Sequence, residues 1–227
     1  MTIEELLADV AVLPVVTIER LDDALPVASA LLNAGLTAIE VALRTACAPA
    51  AVKRIRERLP AALLGVGTIT TPGHVAMAQD ACAQFLVSPG ITAVLLDAMV
   101  QSQLPILPGI ATASEAIELA ERGIHTAKFF PARAAGGPDA LRALQGPFPD
   151  LRFCPTGGID EENAADYLAL PNVICVGGSW MVPPDAINAR DWKRVQNLAE
   201  RAAALAPRRR AHSLGQNGTV AETNRPR

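Results

Sequence analysis

Apolar positions along the chain fall into two alternating textures. Short, nearly unbroken apolar runs of strand length occur at 13–17, 38–42, 63–67, 85–88, 105–108, 126–130, 152–156 and 173–177. Between and after them, apolar residues return every three or four positions, at 21–33, 48–58, 71–81, 92–101, 113–122, 137–144, 160–168 and 191–206. Continuous apolar runs describe strands covered on both faces, and the longer period describes helices with one buried stripe. Gly35 and Gly123 stand where helices should end, and Thr112 or Ser114 and Asp160 where helices should begin. Strand starts recur roughly every 23 residues, a spacing that suits the compact unit of a barrel better than an open sheet with long crossovers. The pattern predicts an α/β chain folded as a (β/α)8 TIM barrel, with a short helix over 2–9 plugging the N-terminal end. A doubly wound sheet is the structural alternative, but no GxGxxG opens a helix after the first strand.

This texture stops after residue 206. The stretch 207–227 is polar and proline-broken, and it is expected to be a disordered tail, leaving 1–206 as a single catalytic domain. Half of the 227 residues are apolar, with 20 basic and 23 acidic side chains, a net charge of -3 and only 4% aromatics. A basic stripe and a stacking platform are both missing from that composition, which argues against nucleic-acid binding. The N-terminal sequence MTIEELLADV is acidic where a secretory signal is basic, and no window of membrane-spanning length is free of charge and proline. A cytoplasmic protein is expected. Cys47, Cys82, Cys154 and Cys175 show no CxxC spacing, and His74, His125 and His212 do not cluster. Neither a disulfide framework nor a metal site follows, and the cysteines read as small buried hydrophobes.

Two charges interrupt the apolar strands. A period of two sends Ile39 and Val41 toward the helices and Glu40 inward between Ala38 and Ala42. The same parity sends Lys128 inward with Thr126 and Phe130. Lys53, Lys128 and Lys193 are the only lysines among the 20 basic residues, so lysine is not this chain's default cation. A buried ion pair serving the fold would explain both charges, yet such pairs stabilise poorly because both ions must be desolvated. An amine that sheds its proton in an apolar interior can instead attack a carbonyl. At the C-terminal ends of strands, where barrel chemistry occurs, lie Arg44 and Thr45, Thr68, and Ser88-Pro89-Gly90. Arg44 offers a fork for a carboxylate, beside the Thr68 hydroxyl. The seventh and eighth strands end in Thr156-Gly157-Gly158 and Gly177-Gly178-Ser179, whose unobstructed backbone N–H groups suit a phosphate.

In order, EVALRT, GVGT, VSPG, LPGIATASE, KFFPA, RFCPTGGI and VGGSW make the chain resemble the 2-keto-3-deoxy-6-phosphogluconate (KDPG) aldolase family over residues 1 to about 206. The resemblance implies a class I aldolase of the Entner-Doudoroff route that often also accepts 4-hydroxy-2-oxoglutarate (KHG), needs no cofactor or metal, and is commonly a homotrimer. It implies that Lys128 forms the Schiff base and that Glu40 is the acid and base. Arg44 and Thr68 would hold the pyruvoyl carboxylate, Pro89 and Phe130 would shape the pocket, and Thr156, Gly157, Gly158, Gly178 and Ser179 would receive the phosphate. The expected partner is thus a small 2-keto acid phosphate. Ala42 and Ala113 depart from the family's common EVTLRT and PGxxTPSE, without removing a reacting group. Three alternatives stay open: 2-keto-3-deoxy-6-phosphogalactonate as substrate, a non-covalent sugar-phosphate epimerase or decarboxylase, and a non-catalytic phosphometabolite sensor.

Overall fold

The computed structural model describes residues 1–205. The stretch 207–227, expected as a tail, lies outside them. In chain order the elements are α1 (Ile3–Leu6), β1 (Val12–Val16), a 3-10 turn (Leu21–Asp23), α2 (Ala24–Asn33), β2 (Ala38–Ala42), α3 (Ala48–Arg58), β3 (Leu63–Gly67), α4 (Pro72–Asp80), β4 (Phe85–Val87) and α5 (Ala93–Gln101). Then come β5 (Ile106–Leu107), β6 (Gly109–Ile110), α6 (Ala113–Glu121), β7 (Thr126–Phe129), α7 (Gly137–Gln145), β8 (Arg152–Pro155), α8 (Ala164–Leu168), β9 (Val176–Gly178), α9 (Pro184–Asn188) and α10 (Trp192–Ala203).

All strand pairing is parallel, in two curled sheets ordered β5-β4-β3-β2-β1-β9 and β6-β7-β8. Isolated parallel bridges, Phe153 to Val173 and Thr156 to Gly177, set β8 and the residue after it beside β9 and the segment leading into it. The run expected as one strand at 105–108 is divided. Pro108 has no N–H to give a ladder, so β5 pairs with β4 before it and β6 pairs with β7 after it. Pro108 still contributes its carbonyl, which accepts from the Lys128 N–H at 2.8 Å. The last strand begins at Val176 rather than 173, and the short helix α9 was not anticipated, although Pro183-Pro184 is a helix-start signal.

Two apolar clusters fill the molecule. The larger lies between strands and helices and contains Ile39, Val41, Phe129 and Phe153, the faces that strand parity assigns outward. The smaller joins Leu13, Phe85, Val87, Leu107, Cys154 and Cys175 to Ile3 and Leu7. Helix α1, held by a capping box between Thr2 and Glu5, therefore seals this inner cluster as the sequence suggested. Thr112 is the N-cap of α6, whereas Asp160 caps the turn before α8 by accepting from the N–H groups of Glu162 and Asn163. Gly35 and Gly123 do end helices, at φ +90° and +69°, but Cys82, Gln103 and Arg190 do the same at +54° to +62°. The expectation that all four cysteines are buried is corrected by that geometry: Cys154 and Cys175 are buried, Cys47 is half-buried, and Cys82 is exposed in its left-handed turn.

Candidate active site

Glu40 sits in mid-strand, paired in register with Val15 of β1 and Gly65 of β3. Lys128 is equally fixed, between Gly109 of β6 and Cys154 of β8. The two residues belong to different sheets, and their side chains meet in the interior. Lys128 Nζ donates to Glu40 Oε1 at 3.1 Å and lies 3.3 Å from Oε2, with the residues only 5% and 1% exposed. Space for the carboxylate comes from Gly67, where a Cβ would stand 2.0 Å from Oε1. The next residue, Thr68, is held at φ +61°, a conformation that costs a β-branched side chain about 1–2 kcal/mol and so marks a constrained position. Pro89 packs its backbone against Gly109, the register partner of Lys128. Thr68 and Pro89 thus stand around the buried pair rather than on the open cavity above it.

That cavity, of about 470 Å³, collects Arg44, Phe130, Thr156, Gly157, Gly158, Gly178 and Ser179, all anticipated from sequence. It lies at the C-terminal ends of β1, β2, β7, β8 and β9. Phe130 joins cavity to pair, since Lys128 Nζ is 5.6 Å from its ring centroid. Arg44 and Ser179 are exposed, open to an incoming ligand, whereas Thr156 is buried. Gly177 is what lets Thr156 stand there, because a Cβ at 177 would fall 2.2 Å from Thr156 Oγ1. Gly157 and Gly158, at φ +99° and +74°, make a turn that L side chains resist, and both line the cavity with backbone that no side chain covers.

Below the pair the interior is uncharged. A hydrogen bond with Cys154, burial and the nearby Glu40 charge push the Cys175 thiol well above the ordinary thiol range. Such a thiol stays protonated and chemically quiet. Among the described residues, no group of three or more His, Cys, Asp or Glu comes together as a metal site.

The family model for KDPG and KHG aldolase matches residues 3–198. The chain belongs to that family. A relative in Pseudomonas aeruginosa, named 2-dehydro-3-deoxy-phosphogluconate aldolase, is 46% identical over 92% of this chain and 96% of its own. The KHG/KDPG aldolase of Escherichia coli K12 is 46% identical over 88% of this chain and 93% of its own. A crystal structure of KDPG aldolase from Legionella pneumophila, with pyruvate captured as a covalent carbinolamine, superposes with a TM-score of 0.87 at 43% identity, covering 91% of this chain and 98% of that one. Within this family member, sequence reasoning missed Thr17 and Glu19 after β1, and Ile187 and Asn188 of α9, which also line the cavity. The position of Thr17 and Glu19 just past a strand's C-terminal end was the signal available. For α9 only its paired prolines gave one.

Proposed function

We propose that this protein is a class I aldolase that cleaves 2-keto-3-deoxy-6-phosphogluconate to pyruvate and glyceraldehyde 3-phosphate, and KHG to pyruvate and glyoxylate. The observation that carries the assignment is the buried amine of Lys128 in contact with the Glu40 carboxylate, beneath a cavity lined by anion-binding loops. Breaking the C3–C4 bond of a 2-keto-4-hydroxy acid leaves an electron pair at C3, which a neutral ketone accepts poorly. Attack of the free Lys128 amine on C2 gives a carbinolamine, and loss of water gives a protonated imine, a stronger electron sink. Glu40, at 3.1 Å, is placed to relay the protons of those steps and to take the C4 hydroxyl proton, directly or through water. The aldehyde then departs, the electron pair becomes that of a neutral enamine, and protonation at C3 followed by hydrolysis returns pyruvate and the amine. These steps draw on no metal and no cofactor.

Arg44 and Thr68 are assigned to the pyruvoyl carboxylate, and Pro89 and Phe130 to the pocket walls. Thr156, Gly157, Gly158, Gly178 and Ser179 are assigned to the phosphate. The two sheets are read as one (β/α)8 barrel, its fifth strand interrupted at Pro108 and its ring joined through the bridges between β8 and the approach to β9. A cytoplasmic homotrimer is proposed on the family resemblance, and exposed Val94, Val100 and Ile117 on α5 and α6 offer apolar side chains for association between copies. The function is tested by pyruvate release from KDPG, its galactonate-series epimer and KHG, with kcat/KM compared. Turnover fastest on KDPG supports the proposal. Preference for the epimer would reassign the substrate, and release from none of the three would remove the aldolase.

A further inference from the structure

Beside the phosphate end of the cavity, one carboxylate outside the reacting pair is almost completely buried. Asp23, at the end of the 3-10 turn after β1, is 2% exposed and is held from two sides. Arg20 Nε donates to its Oδ2 at 2.7 Å, and Arg190 Nε donates to its Oδ1 at 3.1 Å. Arg20 also reaches the carbonyl of Ile187 with Nη2, at 3.4 Å. The bonds to Arg190 and Ile187 span 167 positions of sequence and join the segment that follows β1 to the end of α9. Those segments carry Thr17 and Glu19 on one side of the tie and Ile187 and Asn188 on the other, all lining one cavity.

The strands leave that tie to be made elsewhere. The ladder between β1 and β9 runs from Val12–Val176 to Pro14–Gly178 and stops where the phosphate loop begins. Beyond it, among the described residues, no backbone hydrogen bond joins 17–23 to 187–190, and the side-chain bonds above tie the two segments. Arg190 adopts φ +54°, and its guanidinium spends one of its donors on Asp23 rather than on solvent. A buried carboxylate accepting from two guanidinium groups is rigid, and removing it leaves two cations without their partner.

We propose that Asp23 is a positioning residue which, through Arg20 and Arg190, sets the width of the phosphate end of the cavity and thereby the affinity for phosphorylated substrate. The clamp touches no reacting atom. Its role rests on the aldolase reading above, and it predicts a split between substrates that a residue serving stability alone would not produce. KDPG carries a phosphate to the clamped end, whereas KHG carries none.

Steady-state kinetics of Asp23→Asn with both substrates tests this. The expected result is a KM for KDPG raised about tenfold, with kcat for KDPG and both constants for KHG within about twofold of wild type. Inorganic phosphate, used as a competitive inhibitor of KHG cleavage, should weaken in parallel, and Asp23→Glu should restore part of the lost affinity. Should Asp23→Asn not fold, Arg190→Gln carries the test, since the Arg190 side chain is 57% exposed, and the same split in smaller measure is expected. Equal losses with both substrates, or a lowered Tm with unchanged kinetics, would overturn the clamp while leaving the aldolase intact. Wild-type protein that cleaved neither substrate would remove both.

Discussion

The two halves of the site are built from different materials. The Lys128–Glu40 pair, proposed to react, is carried on mid-strand positions, each flanked by ladder partners, with Lys128 Nζ and Glu40 Oε1 3.1 Å apart. The end proposed for phosphate is carried on loops, by two left-handed glycines and an exposed serine, with the segments beside it tied by the Asp23 ion pairs. Strands hold a side chain rigidly in an interior where charge is expensive, and bond-making chemistry needs both conditions. Loops offer backbone N–H groups at little desolvation cost and can be reshaped without disturbing the core. Substitutions in the first half should therefore act on kcat, and those in the second on KM.

The largest expected effect is that of Lys128→Met, which should lower kcat/KM for KDPG by at least about 10⁴-fold, as loss of a covalent nucleophile does. A loss smaller than about 10²-fold in this variant would break the contrast. Glu40→Gln should still form the adduct with pyruvate but turn over about 10² to 10⁴ times more slowly. Lys128→Met should also cost about 3–5 kcal/mol of stability by stranding a buried carboxylate, and Lys128→Met combined with Glu40→Leu should recover most of it in denaturant titration. Recovery would show that the pair is kept for chemistry rather than for the fold. On the loop side, Ser179→Ala should raise the KM for KDPG about tenfold with little change in kcat, the worth of one hydrogen bond to an anion.

The smallest effect concerns α9. Arg194 Nη1 bonds Asp185 at 2.6 Å and holds its carboxyl below the usual carboxylate range. A depressed folded-state pKa contributes stability above the unfolded-state value and loses it as pH falls through the folded one. Asp185→Asn should accordingly lower Tm slightly at neutral pH, and the difference should vanish in acid. A difference that grew in acid would contradict the ion pair.

Strand-borne features were legible because they obey a period. Glu40 and Lys128 stand out as charges in apolar runs, and parity alone turned both inward, where the structure has them meet. Loop-borne features obey no period. The glycine pairs could be read because a missing Cβ is visible in sequence, whereas Asn188 looks like an ordinary surface residue and Thr17 and Glu19 had only their place at a strand's end to mark them. Asp23 gave no sign of burial, since Arg20 three residues before it looks like an ordinary local partner and Arg190 is 167 positions away. The division of the fifth strand was within reach, because Pro108 cannot donate to a ladder. Cys82 was misread because the left-handed helix end it occupies is usually given to glycine.

Reductive trapping tests the central claim most directly. Protein incubated with pyruvate and borohydride, then digested, should carry the reduced pyruvyl group on the peptide containing Lys128 and nowhere else, with Lys128→Met unlabelled. Label on Lys53 or Lys193, or no label in protein that still cleaves KDPG, would contradict covalent catalysis at Lys128.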